Sequence, residues 1–257
     1  MTKQLAIEVA DGICRITFQR PEAFNALNEE MARGLVQQLV GAQADDAIRV
    51  VVIMGSGFAF SAGADLTGDN PVEHFGEQTM DGANLIARSV VGLGKPVVAA
   101  VNGIAAGVGA SICFAADLAI AKESASFLLA FSRIGLMPDG GSSLTVAAAV
   151  GRARAMRMAL LAEPLSAADA AAAGLVSHVV PDDEFDAAVD KIARRLAQGP
   201  PLAFAATKKA INAATIGGLE DALELEKRGQ LALFTTADAA EGTRAFVEKR
   251  RPLFTGS

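Results

Sequence analysis

The stretch Lys95-Pro96-Val97-Val98-Ala99-Ala100-Val101-Asn102-Gly103-Ile104-Ala105-Ala106-Gly107-Val108-Gly109-Ala110 decides how this chain is read. Pro96–Val101 carries no alternation of apolar and polar residues, so it predicts a strand covered on both faces. Asn102–Gly107 predicts a turn and Val108–Ala116 a helix, and Leu118-Ala119-Ile120-Ala121 predicts a second strand. No charge stands between Lys95 and Asp117, a length able to span a bilayer, and Gly103 and Gly107 form a small-xxx-small pair. Pro96, Asn102, Gly109 and Ser111 break that run, so a buried strand, turn and helix is the expectation, with no membrane partner.

The same rhythm extends outward in both directions. Val50-Val51-Val52-Ile53-Met54 is another unalternating strand, followed by a glycine-rich loop from Gly55 to Asp65. Thr67 to about Asp81 is polar and without period, a mobile loop leading into a helix near Gly82–Leu93. Upstream, Leu5, Ile7 and Val9, then Cys14, Ile16 and Phe18, alternate around Asp11-Gly12, which predicts a hairpin. Asn28 is placed to cap a helix whose inner face is Met31, Leu35 and Leu39. Downstream, Ser142–Val150, Arg152–Leu161, Ala167–Ala173 and Asp183–Ala197 predict helices, with a short strand at Val176–Val180. Strand, turn, helix and strand in succession indicate an α/β fold, although no residue-level repeat is visible. Gly199-Pro200-Pro201 is the best boundary, and beyond it only helical patterns remain.

With 257 residues, 51% of them hydrophobic, and a net charge of −6, the chain has ample core and is not disordered. The acidic balance argues against nucleic-acid binding, and the absence of Trp and Tyr removes the usual stacking platforms. Two cysteines, Cys14 and Cys113, lie in apolar stretches, as buried thiols of a reducing, cytoplasmic setting would. No secretory signal is read at the start, and with only His74 and His178 no histidine-rich metal site is expected.

Three loops stand out as places for chemistry: Phe60-Ser61-Ala62-Gly63-Ala64-Asp65-Leu66, Asn102–Ala110, and Gly135-Leu136-Met137-Pro138-Asp139-Gly140-Gly141. Turns after parallel strands line ligand crevices, and backbone N–H groups at a helix start carry partial positive charge. Two such groups from separate loops would form an oxyanion hole. Residue types alone leave open whether these are ligand-lining loops or simply tight turns. Gly107-Val108-Gly109 is not a dinucleotide fingerprint, because Ile112 stands in the third glycine's place.

At these residues the chain resembles the enoyl-CoA hydratase/isomerase family, the crotonases. The resemblance is carried by Arg20-Pro21 with Asn25-Ala26-Leu27, by Phe60–Leu66 and by Lys95–Gly103. It continues through Asp117, Leu165-Ser166-Ala167, Ala173-Gly174-Leu175-Val176, and Phe246-Val247-Glu248-Lys249-Arg250 with Pro252. It implies a crotonase-like spiral of repeated ββα units over residues 1–198, holding a coenzyme A site. It also implies a C-terminal helical trimerisation region over 199–257. The implied partner is an acyl-CoA thioester, with no separate cofactor, and the implied assembly is a homo-oligomer, a trimer or a dimer of trimers. By position the oxyanion hole falls on the N–H groups of Ala64 and Val108. The implied walls of the site are Ala26, Leu27, Ala62, Gly63, Asp65, Leu66, Gly107, Ser111, Phe131 and Pro138, with Phe246 and Lys249 at the adenine and phosphate end.

Departures from the family pattern point to the reaction. Hydratases of this family use two glutamates, and here those positions hold Ser111 and Phe131, neither able to move a proton for water addition. Asp139 remains. In the Δ3-Δ2-enoyl-CoA isomerase branch, one carboxylate occupies this loop position. The expected reaction is therefore isomerisation with Asp139 as the base, and Val108 and Phe131 excluding water. The alternatives are a hydratase or other crotonase-type reaction, or an acyl-CoA binder without catalysis. Asp139 has a competing reading as N-cap of the helix beginning near Gly141. Asp65 is expected to fix its loop, and Ser111 either to meet the acyl chain or to bond its own helix backbone. His74 is expected to be solvated, and Lys249 and Phe246 to share a helix face. Leu223, Leu231, Leu233 and Phe234 are expected to pack between subunits.

Overall fold

The computed structural model describes residues 3–67 and 71–257. Strands β1 (Leu5–Ala10) and β2 (Ile13–Phe18) form the expected hairpin. Both turn residues, Asp11 at φ 53 and Gly12 at φ 78, are left-handed, matching the twist of the strands they join. Helix α1 (Glu29–Ala44) starts where Asn28 accepts the Met31 N–H, and it buries Met31, Leu35 and Leu39.

Three ββα units follow. Strands β3 (Val50–Gly55) and β4 (Ala59–Ser61) lead to α2 (Glu77–Gly92). Strands β5 (Val97–Val101) and β6 (Ile104–Ala106) lead to α3 (Val108–Ala115). Strands β7 (Leu118–Lys122) and β8 (Ser126–Leu128) lead through a 3-10 turn at Ala130–Ile134 to α4 (Ser142–Val150). In each unit the first strand joins one sheet and the second strand another: β3, β5 and β7 are parallel neighbours, and so are β4, β6 and β8. Each unit thus stacks on the one before it, which makes a spiral. The second strands are short enough to read as turns in the sequence, and α2 begins well before the expected Gly82. Of the polar Thr67–Asp81 segment, residues 68–70 lie outside the described residues, and Pro71–His74 is a 3-10 turn.

Helices α5 (Arg152–Leu161) and α6 (Ala167–Ala172), with β9 (Leu165–Ser166) between them, lead to β10 (His178–Val180) and α7 (Phe185–Ala197). The larger sheet runs β1-β2-β3-β5-β7-β10 and the smaller β4-β6-β8-β9. Every residue of β5 is fully buried, between α1 and α2 on one face and α7 on the other, which explains the unalternating apolar run. Among the described residues no helix is long and apolar enough to cross a membrane.

The remaining elements are α8 (Pro201–Thr215), α9 (Leu219–Phe234) and α10 (Ala237–Val247). Helix α9 buries Leu219, Leu223, Glu226 and Gln230 against the body, and Leu219 and Leu223 pack on Ala87 of α2. The expectation that Leu223 packs between subunits is corrected here, since it is fully buried within its own chain. Phe234 also turns inward, its ring 5.4 Å from that of Phe75. Both cysteines are buried and free.

Candidate active site

Parallel pairing of β4 with β6 sets Ser61 beside Ala105, so the two chains leave the small sheet side by side. Their next turns touch at glycines. Gly63 (φ 100) is so close to the neighbouring chain that a Cβ there would stand 2.9 Å from the Ala106 carbonyl oxygen. Gly107 takes φ 52 and ψ −132, a conformation that side chains oppose. The following residues are Ala64 and Val108. Ala64 is bridged to Leu27, with the Leu27 N–H donating to Gly63 at 2.7 Å and the Asp65 N–H to Leu27 at 2.9 Å. Val108 is the first residue of α3, where the helix leaves its N–H groups unused. Among the described residues, the N–H groups of Ala64 and Val108 donate to no acceptor. The fold therefore brings Ala26-Leu27, Ala62–Leu66 and Gly107-Val108 together.

Polar side chains hold these loops. Asp65 pairs with Arg20 at 2.7 Å and accepts the Thr67 N–H and hydroxyl at 3.0 and 2.7 Å. Burial pushes its carboxyl up, but the bonds from Thr67 and Arg20 outweigh burial and hold it below the usual carboxylate range. Asn25, fully buried and left-handed at φ 56, donates to Ser56 and Ala59 and receives the Ser61 hydroxyl on its carbonyl. It stitches the first loop to the chain entering α1.

Asp139 is 8% exposed. Its Oδ2 accepts a hydrogen bond of 2.9 Å from Gln230 Nε2, whereas Oδ1 is buried with no partner among the described residues. The Ser111 hydroxyl donates to the Asp139 carbonyl at 2.8 Å, and the Ser142 hydroxyl does the same at 2.8 Å. A Cβ on Gly140 would lie 3.1 Å from Ser111 Cβ and 3.7 Å from Val108 Cγ2, so the acid's loop lies against the first turn of α3. Burial pushes the Asp139 carboxyl up to about 7; the Gln230 bond opposes that rise and the negative Glu226 adds to it.

The capping reading of Asp139 is not what the structure shows. The N-cap of α4 is Gly141, and the donors there go to Glu226, whose Oε2 accepts Gly141 N–H at 2.8 Å and Oε1 accepts Ser143 N–H at 2.9 Å. Glu226 is 1% exposed, and burial raises its carboxyl despite those bonds. Its two oxygens are committed to backbone donors, leaving Asp139 as the carboxylate here with an open oxygen.

The other expected residues sort by place. Ser111 is buried, its hydroxyl bonded to the Asp139 and Gly107 carbonyls, so it holds the acid's loop. Phe131 is 7% exposed in the core, and Pro138 is half-buried beside Asp139. His74 is exposed. Helix α10 ends at Val247, and Lys249 lies beyond it in a left-handed turn at φ 54, so Lys249 and Phe246 do not share a helix face as expected. Both are exposed and make no hydrogen bond or ion pair with the Ala64, Val108 or Asp139 segments among the described residues. A separate cavity of about 560 Å³ opens beneath α8, lined by Pro96, Phe114, Thr145, Phe204 and Lys208, and it includes none of these site residues.

Glu226 and Gln230 were not found in the sequence. Their signal was available: Leu219, Leu223, Glu226 and Gln230 fall at helical spacing on one face, two polar residues continuing an apolar stripe.

Comparison with known proteins places this architecture. The family model described as enoyl-CoA hydratase/isomerase matches residues 8–257. A "Probable enoyl-CoA hydratase" of Rhodobacter capsulatus is 45% identical, over 97% of this chain and 96% of its own. The "1,2-epoxyphenylacetyl-CoA isomerase" of Escherichia coli K12 is 38% identical over the full length of both. The crystal structure of an enoyl-CoA hydratase from Mycobacterium avium subsp. paratuberculosis superposes with a TM-score of 0.94 at 46% identity, covering 99% of this chain and 100% of that one.

Proposed function

The chain belongs to the enoyl-CoA hydratase/isomerase family, and from that premise we propose that it moves a double bond of an enoyl-CoA thioester from the β,γ to the α,β position with Asp139 as its single proton carrier. The observation that carries this reading is a buried carboxylate with one free oxygen beside the start of α3. The two positions where hydratases hold glutamates have become a bonded serine and a core phenylalanine.

In this mechanism the thioester oxygen accepts from the N–H groups of Ala64 and Val108. Asp139, ionised, takes a proton from the α-carbon, and the C–H electron pair passes into a dienolate whose charge rests on that oxygen. Fixed dipoles stabilise the oxygen more as its charge grows. Asp139 then returns the proton to the γ-carbon, the electrons settle as an α,β double bond, and the carboxylate is restored. Water addition would need a second group to activate the water. Glu226 cannot take that part while both its oxygens hold backbone donors. A carboxyl near 7 suits a base, because it is partly ionised at neutral pH and a strong enough base to take the proton.

The test is Asp139→Asn. Turnover should fall by roughly two to four orders of magnitude, the usual worth of a general base, with acyl-CoA binding retained. Full turnover in this variant would remove Asp139 from the reaction.

A further inference from the structure

We infer that Gln230, reaching in from the C-terminal helix α9, is the positioning residue of Asp139, and that it fixes Oδ1 as the oxygen that takes and returns the proton. The inference rests on the one-carboxylate reading above and goes beyond it by assigning the atom and its holder.

Donors and acceptors fix the orientation of both side chains. The Met137 N–H can only donate, and it reaches Gln230 Oε1 at 3.2 Å. That fixes which end of the amide is oxygen, and the other end, Nε2, must face Asp139 Oδ2 as a donor at 2.9 Å. A protonated Oδ2 would have no acceptor there, so the proton belongs on Oδ1, the oxygen without a partner. Gln230 is 1% exposed and lies one turn beyond Glu226 on the same face of α9, so its side chain is held by packing and by both bonds. It spans two residues of a single loop, Met137 and Asp139, and so also sets how the carboxylate plane sits relative to α3.

Among the described residues, these groups bond to, act electrostatically on or lie against Asp139 and the adjoining Gly140. From α9 come Gln230 and Glu226; from α3, Ser111 and Val108; from α4, Ser142. Of these only Glu226 is titratable, and it disfavours ionised Asp139, whereas the Gln230 donor favours it.

The experiment is the pH profile of 3-enoyl-CoA isomerisation in Gln230→Met, with melting measured on the same sample and Asp139→Asn as control. Losing a donor to the carboxylate should move the acid limb of kcat upward by about one pH unit. KM should stay within about threefold, because only the proton carrier is disturbed. Should Gln230→Met fail to fold, Gln230→Glu keeps the Met137 acceptor and presents a second negative group, and the limb should again move up. An unmoved limb in a folded variant overturns the role of Gln230. If Asp139→Asn is itself fully active, the one-carboxylate reading fails instead.

Discussion

An aspartate with a bare buried oxygen costs stability, and at Asp139 the size of that cost depends on pH. Its carboxyl rises from 3.8 when unfolded to about 7 in the fold, so between those values the native state binds the proton more tightly. Stability contributed here is fully present below the unfolded value and is lost as pH rises through about 7. Asp139→Asn mimics the neutral form, since its amide oxygen can accept from Gln230 while its NH2 takes the place of Oδ1. The variant should therefore be more stable than the parent at pH 8, by on the order of 1 kcal/mol or more, with the gap closing toward pH 4. Denaturant unfolding at both pH values checks this, and a variant less stable at pH 8 would contradict it. The sequence marked Asp139 as the one acid left in its loop. It did not show that Glu226 has the capping job, because the two are 87 residues apart (226 − 139) and meet only through the packing of α9.

At the scale of elements, the site depends on two short strands that the sequence hid. A three-residue strand such as Ile104–Ala106 has no room to show a period and reads as part of a turn. Yet its pairing with Ala59–Ser61 is what sets Gly63 against Gly107 and leaves the next two N–H groups open. The long strands and most helices were legible because full burial writes itself as unbroken apolar runs, and a cap such as Asn28 marks its helix start. Helix α3 offers a clean test of the oxyanion hole. Val108 is its first residue, where proline fits without breaking a helical bond. Val108→Pro removes one N–H and should fold with little loss of stability. Its turnover should fall by about 10²–10³, the worth of one oxyanion donor. A folded Val108→Pro enzyme with normal turnover would take Val108 out of the hole.

For the whole molecule, the C-terminal part does not stand apart from the body: its helix α9 packs against the Asp139 loop. Helix α9 delivers both Glu226 and Gln230 to that loop, so the proposed base in residues 1–198 is held by side chains from residues 199–257. Helix α8, by contrast, buries none of its residues within the chain and leaves Leu202 84% and Ile211 55% exposed. That surface is expected to be covered in a homo-oligomer, and sedimentation at micromolar concentration should show a species larger than the monomer; a monomer would contradict this. One carboxylate and two backbone donors, with no second group to activate water, are proposed to make this enzyme an isomerase. The most direct measurement is turnover of the intact enzyme on a 3-enoyl-CoA and on crotonyl-CoA side by side, with products followed by absorbance and mass. Rapid conversion of the 3-enoyl to the 2-enoyl thioester without gain of mass is expected, with negligible addition of water to crotonyl-CoA. Hydration of crotonyl-CoA at roughly hundreds per second or more, as a good enzyme would achieve, with the 3-enoyl thioester left untouched, would contradict it.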